Sequence, residues 1–263
     1  MKQILSSLLR VPTTEPQNHS PSARTVDVGW LLQTDKASFI WDAPRKLSRS
    51  GGKTTHAKGV SFCPAVIDFE ARYFEIPCPV DVELRFVLED GKRPAVVIAA
   101  GSEATIRPKH LSSMLTIVKR DEWRHPNRPL IQFLTPYLFV TDEPVYMSQL
   151  SPFGHYFKTP LPGVMICGRM PIHIWPRPLM WAFEWYDTTK PLVLKRGEPW
   201  FYLHFETNDP TRRVRVIEAD MTPALSEYLS GLTGVTNYVN RTYSLFRIAE
   251  ERRPKQLLFP KQR

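Results

Sequence analysis

The chain has 263 residues, of which 42% are hydrophobic and 23% are charged. This usage is ordinary for a folded protein and argues against wholesale disorder. Its 25 Pro residues outnumber its 12 Gly residues, which favours short strands and ordered loops over long helices. The formal net charge of +9 makes nucleic acid, anionic lipid and acidic protein surfaces the candidate neighbours.

The three cysteines, Cys63, Cys78 and Cys167, are odd in number and form no CxxC pair. This argues against a disulfide framework and against a metal site of fixed Cys spacing. No apolar run approaches the length of a membrane-spanning helix, and the apolar part of MKQILSSLLR is too short for a signal peptide. We therefore expect a soluble protein of a reducing cytoplasm with no membrane partner.

Residues 1–59 are expected to form a flexible basic N-terminal arm and loop. Their first part is rich in Pro, Ser and Thr, and a short amphipathic helix is predicted over Ile4–Leu9. A first apolar piece follows at Val26–Ile40. The basic, Gly- and Ser-containing segment Pro44–Gly59 then predicts an exposed loop.

Residues 60–217 are predicted to form a β domain. Val80–Leu88 alternates apolar and polar residues, Asp90-Gly91 is a turn signal, and Ala95–Ala100 is rich in β-forming residues. These segments predict a hairpin, and Lys195–Glu198 predicts a further turn between two strands. Cys63 is expected to be a small buried residue at a strand start.

Residues 218–263 are predicted to hold C-terminal helices and a basic tail. Thr222 is a good N-cap with Pro223 at the first helical position, and this helix is expected to end near Gly231 or Gly234. A second helix is predicted from about Thr236 to Arg252, before Pro254. The fold class is therefore mainly β, with a sandwich or barrel-like body and a helical C-terminal appendage.

The run Ser50–Thr55 (SGGKTT) contains the Gly-Lys-Thr end of a phosphate-binding loop. A complete loop needs a Gly five positions before Gly52, where Leu47 stands, and a strand before it. The run is therefore predicted to be a loop without a nucleotide.

A metal site is an alternative suggested by His204 and Glu206. Alternate residues on a strand project to one side, so this pair could supply two ligands to iron or zinc. His173 or His155 would have to supply a third. The other interpretation is that His204 packs at a strand end, and no cofactor is the leading expectation.

The segment 168–200 holds four of the seven Trp residues interleaved with charges. Trp and Arg are favoured anchors of binding interfaces; the alternative is a core whose indole N–H groups and ion pairs are satisfied internally. An Arg177–Glu184 or an Arg169–Glu198 ion pair is expected inside this segment. The candidate interaction residues are Arg169, Trp175, Arg177, Trp181, Glu184, Trp185, Glu198 and Trp200.

Five segments carry a family resemblance: FCPAVIDFEARYFEIPCPVDVELRF, PYLFVTDEPVYMSQLSPF, PLPG, MPIHIWPRPLMWAFEW and KRGEPWFYLHFE. Over about residues 60–220 the chain resembles an uncharacterised protein family of tailed phages and bacteria. A fainter similarity is to the β-clip folds of the dUTPase type, without their trimer and phosphate motifs. These resemblances imply β architecture and a viral or mobile-element origin, with the virion or the host cytoplasm as location.

No complete catalytic motif of the common hydrolases, zincins or Rossmann enzymes occurs in the sequence. The leading prediction is therefore a non-enzymatic structural or interaction protein, such as a virion or assembly component, with a protein partner or self-association. One alternative is a metal-dependent or nucleotide-directed small-molecule enzyme. The other is a protein that binds nucleic acid non-specifically through its basic termini.

Overall fold

The computed structural model describes residues 25–34, 37–47, 59–88, 93–235 and 242–262. The fold is mainly β with a sandwich-like body, which confirms the predicted fold class. Within the described ranges no sheet closes into a barrel, and no helix is long and apolar enough to cross a membrane.

The strands are short, as the Pro content predicts. In chain order they are β1 (Thr25–Leu32), β2 (Arg45–Lys46), β3 (Tyr73–Pro77), β4 (Val82–Val87), β5 (Ala95–Ile98), β6 (Leu115–Ile117), β7 (Leu130–Leu134), β8 (Tyr137–Val140), β9 (Val145–Leu150), β10 (Gly163–Met165), β11 (Gly168–Pro171), β12 (Met180–Trp185), β13 (Leu192–Leu194), β14 (Pro199–Thr207) and β15 (Arg213–Glu218).

These strands form four sheets. Their orders are β15-β1-β8, β10-β12-β7-β6, β11-β9-β14-β3-β2 and β13-β4-β5. Strand β1 is parallel to β15, and every other pair is antiparallel.

The main core lies between the inner faces of the sheets. On β14, in the five-stranded sheet, Phe201, Leu203 and Phe205 alternate with more polar residues and are at most 1% exposed. The period of two sends every second side chain to the same face. The intervening residues, Tyr202, His204 and Glu206, therefore lie on the outer face.

The described residues form the α-helices α1 (Pro64–Glu70), α2 (Pro108–Met114), α3 (Pro223–Val235) and α4 (Thr242–Arg252). The two C-terminal helices build a second core against the β1–β8 side, where Leu225 and Leu229 of α3 pack with Leu31 and Leu138. This cluster is the predicted helical appendage.

Several local predictions are confirmed. The antiparallel pairing of β4 with β5 confirms the predicted hairpin. Asp90 and Gly91, the predicted turn residues, lie outside the described residues. Gly197 adopts a φ of 80° in the turn before β14, a conformation that favours glycine. Thr222 caps α3 through a 3.2 Å hydrogen bond from the Leu225 N–H, and α3 extends to Val235, next to the predicted end at Gly234.

Three elements differ from the prediction. Residues of the predicted N-terminal arm belong to the body, because β1 is the central strand of its sheet and β2 pairs with β3. Strand β9 is a central strand that the sequence analysis missed. Cys63 is exposed and precedes α1, not a strand.

Candidate functional site

The outer face of the five-stranded sheet carries a polar row. Arg169 on β11 lies opposite Ser148 on β9, Ser148 lies opposite His204 on β14, and His204 lies opposite Tyr73 on β3. Directly opposite residues of paired strands share a face. The sheet therefore brings four side chains together from four strands that are far apart in sequence.

An arginine–carboxylate pair anchors one end of this row. The Arg169 guanidinium donates hydrogen bonds from Nε (3.1 Å) and Nη2 (2.7 Å) to Oε2 of Glu206, and it lies 3.8 Å from the ring centre of Tyr146. Hydrogen bonding to Arg169 holds the pKa of the Glu206 carboxyl below its ordinary value. Glu206 is therefore an ionised carboxylate already engaged by a cation.

The neighbouring His204 ring is half-buried. It stacks on Tyr73 with ring centroids 4.7 Å apart, and burial lowers the pKa of His204 although Glu206 raises it. Its Nδ1 lies 3.8 Å from Oε1 of Glu206, too far for a hydrogen bond. Burial also raises the pKa of the Tyr73 hydroxyl. The neutral imidazole is thus favoured at this position.

Two phenylalanines cover this end of the sheet. Phe69 of α1 and Phe153 of the loop after β9 lie 5.8 Å apart between ring centroids. Their centroids lie 4.7 Å and 5.3 Å from that of Tyr73, and Phe153 also packs on Tyr202 at 5.2 Å. Each phenylalanine thus has ring neighbours, yet each is about half exposed.

Helix α1 adds further apolar surface beside them. Its sequence PAVIDFE contains four apolar residues besides Pro64, and the helix buries none of them. Ile67 is 49% exposed, and Phe62, in a 3₁₀ turn that contacts α1, is 52% exposed. We call Phe62, Ile67, Phe69 and Phe153 the aromatic patch.

The predicted metal ligands do not come together as a set. His204 and Glu206 are neighbours, but Glu206 binds Arg169. His173 places Nδ1 3.1 Å from the Val145 carbonyl, and His155 lies 3.8 Å from Glu198. Among the described residues no group of three or more His, Cys, Asp or Glu side chains could hold a metal ion.

The four Trp residues of segment 168–200 lie in the core. Trp175, Trp181, Trp185 and Trp200 are between 0% and 6% exposed. The Trp185 indole donates to the carbonyls of Asp187 and Lys190. These indoles fill space between packed elements and leave almost no area for a partner, so the surface interpretation applies to none of them.

The charged members of the predicted interaction set have other partners than expected. Glu184 is 2% exposed and lies 3.3 Å from Arg124 and 3.9 Å from Arg128, not beside Arg177. Arg169 pairs with Glu206 instead of Glu198. Burial of a carboxylate requires nearby cations, and the loop before β7 supplies them.

Arg177 lines a small groove with Leu134 and Met180.

The Gly-Lys-Thr run Ser50–Thr55 and the predicted helix Ile4–Leu9 lie outside the described residues.

Four residues of the site were not predicted from the sequence: Phe69, Phe153, Tyr73 and Ser148. The start of α1 could have been recognised in the sequence, because a Pro such as Pro64 followed by a mixed apolar run is typical of the first turn of a helix. Ser148 carried no such signal, because strand pairing alone places it beside His204.

Comparison of the chain with protein-family models and with curated proteins finds no match in either case.

Proposed function

We propose that this chain is a non-enzymatic structural or interaction protein that docks on another protein through the aromatic patch. The observation that carries the proposal is the exposure of the four patch residues, which lies between 46% and 56%. Contiguous exposed apolar surface of this kind marks interaction sites in proteins.

The packing of α1 supports this function. A seven-residue helix is too short to be stable by its own backbone hydrogen bonds, and helices of globular proteins normally bury an apolar face. Helix α1 buries no residue. A partner that covers Ile67 and Phe69 would supply the burial that the described part of the chain does not.

The chemistry of the neighbouring polar row fits binding better than catalysis. Arg169 donates two hydrogen bonds to Oε2 of Glu206 and lowers the pKa of this carboxyl, which makes Glu206 a weaker general base. The net charge of +9 attracts acidic surfaces at long range. An acidic protein partner is therefore favoured over a basic one.

The resemblance to phage-encoded proteins supports a role in a virion or in its assembly. A virion or assembly component must contact neighbouring protein subunits, and such a protein would act in the host cytoplasm or in the virion. A second copy of the chain and a second type of subunit could both cover the exposed patch, and the net charge of +9 favours the second type of subunit.

The test compares two surface variants with the wild type. Phe69→Asp combined with Phe153→Asp places charge in the patch, whereas Phe39→Asp changes another aromatic residue that is 82% exposed. Light scattering measures self-association, and immobilised protein captures partners from the native host. We expect the patch variant to lose at least tenfold in association and the Phe39 variant to keep it.

Unfolding of the patch variant would mimic this result, so circular dichroism and the free energy of unfolding are measured alongside. A wild-type protein that stays monomeric and captures nothing sensitive to the patch substitutions would overturn the proposed function.

A further inference from the structure

Strand β5 lies at one edge of the three-stranded sheet β13-β4-β5. Its residues Ala95–Ile98 (AVVI) are all apolar, and Val97 is 42% exposed. The open side of an edge strand carries backbone N–H and C=O groups that no strand of its own sheet satisfies. Such a strand can therefore pair with a strand of another molecule.

The register between β4 and β5 identifies the outward-facing backbone groups. The Ala99 N–H donates a 2.8 Å hydrogen bond to the Glu83 carbonyl, one step beyond the last β4–β5 pair. Bonded and non-bonded pairs alternate along an antiparallel ladder, so the backbone groups of Val97 also point toward β4. Those of Val96 and Ile98 point to the open side. In the part of the chain that the structure describes, no backbone hydrogen bond reaches them there.

The other sheet edges carry features that discourage pairing between molecules. Short length, charged side chains and Pro have this effect on edge strands. Strand β2 consists of two basic residues, β11 contains Arg169 and Pro171, β15 contains two arginines, and β6, β10 and β13 have only three residues each. At β8 the Tyr137 carbonyl accepts a hydrogen bond from the Leu179 N–H. Strand β5 has no charged residue and no Pro between Ala95 and Ile98.

We propose that β5 pairs with β5 of a second copy of this chain, antiparallel and about a two-fold axis at Val97. Under two-fold symmetry a strand is complementary to itself, because each contact occurs twice with the roles exchanged. Val96 of each copy exchanges two backbone hydrogen bonds with Ile98 of the other. Pro94, which has no N–H, ends this ladder. The two three-stranded sheets then join into one continuous sheet.

The side chains at this junction are compatible with the pairing. Val96 and Ile98 are partly buried against the main core, and each would gain the other as a cross-strand neighbour from the second copy. Val97 lies on the opposite face and would meet Val97 of the second copy, with Cα atoms about 4.5 Å apart. The pairing therefore covers apolar side chains on both faces of the sheet.

Charge supports a second copy as the partner of β5. Between Arg93 and Glu103 the chain has no charged residue, so the net positive charge is not concentrated at the junction. The register about Val97 places Arg93 opposite Gly101 of the second copy. Glu103 follows two residues later, at most about 7.6 Å away at ~3.8 Å per Cα step. Both side chains are exposed, so one Arg93–Glu103 pair can form on each side of the axis.

Disulfide trapping tests the register. Cys63 and Cys167, the exposed cysteines, are replaced by Ser, and Val97→Cys places a thiol at the two-fold axis. A Cα separation of about 4.5 Å is within disulfide range. With oxidised glutathione we expect a disulfide-linked dimer to form at least tenfold faster than in the matched Ala95→Cys protein. In the proposed register the two copies of residue 95 lie roughly 13 Å apart, because each opposes residue 99.

Sedimentation velocity measures the dimer without a covalent bond. A single pair of four-residue strands is smaller than a standard interface of about 1,600 Å², so we expect a monomer–dimer equilibrium between about 1 and about 100 µM. Val97→Glu should weaken dimerisation at least tenfold, because it brings two carboxylates together at the axis. Val97→Thr is the uncharged control of similar shape. In the monomer the new Glu lies opposite Arg85, and circular dichroism checks that the variant folds.

Two results would overturn the proposal: equal disulfide rates for Val97→Cys and Ala95→Cys, or wild-type protein that stays monomeric at about 100 µM. The aromatic patch belongs to other elements, so Phe69→Asp with Phe153→Asp should keep this dimer. Loss of the dimer in that variant and its survival in Val97→Glu would assign self-association to the patch instead.

Discussion

Two groups of aromatic side chains in this protein have similar ring contacts but opposite environments. In the core, Trp181 lies 5.0 Å from Phe183 and 5.6 Å from Trp200 between ring centroids. On the outer face, Phe69 and Phe153 lie 5.8 Å apart. The core rings are at most 4% exposed, whereas the two phenylalanines are 46% and 56% exposed.

The difference is in what covers each group. The Trp-containing strands have further strands and side chains on both sides, so their rings lose almost all contact with water. Phe69 and Phe153 contact Tyr73 of the sheet, but about half of each side chain stays exposed among the described residues. Ring–ring contact alone therefore does not make a core. Four predictions test the difference between buried and exposed groups.

Loss of a core ring should have the largest effect. Trp181→Ala is expected to reduce the free energy of unfolding by about 3–5 kcal/mol, because it removes buried surface and leaves a cavity. Phe153→Ala should cost much less, since its side chain is 56% exposed. Urea denaturation measures both, and similar losses for the two variants would erase the contrast.

A substitution in the closely packed strand β10 should have the second-largest effect on stability. A Cβ added at Gly163 would lie 2.0 Å from the Glu184 carbonyl oxygen and 2.9 Å from the Phe183 ring. Gly163→Ala should therefore reduce stability by about 1–3 kcal/mol. Gly168→Ala is the matched control, since a Cβ there meets nothing within 4 Å; thermal unfolding of both variants tests the difference, and equal stability would refute it.

Acid should weaken the fold through its half-buried histidines. Burial lowers the pKa of His204 and of His173 below 6.5 in the folded state. As pH falls through about 6.5 the unfolded chain takes up protons first, so the free energy of unfolding falls until the folded pKa is passed.

His204→Gln should remove part of this decline between pH 7.5 and 5, measured by denaturant unfolding at each pH. His110→Gln is the control, because His110 is exposed. An unchanged decline in the His204 variant would show that its burial does not disfavour protonation.

The surface ion pair should have the smallest effect. Arg169 and Glu206 are 50% and 40% exposed, and pairs in such positions contribute about 0.2–1 kcal/mol. A double-mutant cycle of Arg169→Ala and Glu206→Ala measures the coupling in the free energy of unfolding. A coupling above about 2 kcal/mol would mean that the pair is part of a buried network.

Local features of the fold were predictable because their causes are local. The β4–β5 hairpin, the Gly197 turn and the Thr222 cap follow from alternation and turn or cap residues within a few positions. Strand β9 was missed although Val145, Met147 and Gln149 are buried. Its sequence VYMSQL alternates only imperfectly between apolar and polar residues, so the pattern does not predict a strand. Pairing with β14 stabilises the strand instead.

The candidate site was predictable only in pieces. His204, Glu206 and Arg169 were singled out by residue type, but their pairing was not, because Arg169 reaches Glu206 across 37 positions of sequence. The Trp residues were open to two interpretations for a related reason. The amino-acid composition shows that large aromatic side chains are present, but it does not show whether other parts of the protein cover them.

The mainly β class, the turn at Gly197 and the C-terminal helices could be predicted from the amino-acid sequence. These depend on backbone preferences and on polarity patterns over a few residues. Tertiary contacts place β1 in the body, bury the four Trp side chains of segment 168–200 and leave Ile67 and Phe69 of α1 exposed. Burial depends on which distant segments meet, and that is a property of the whole chain.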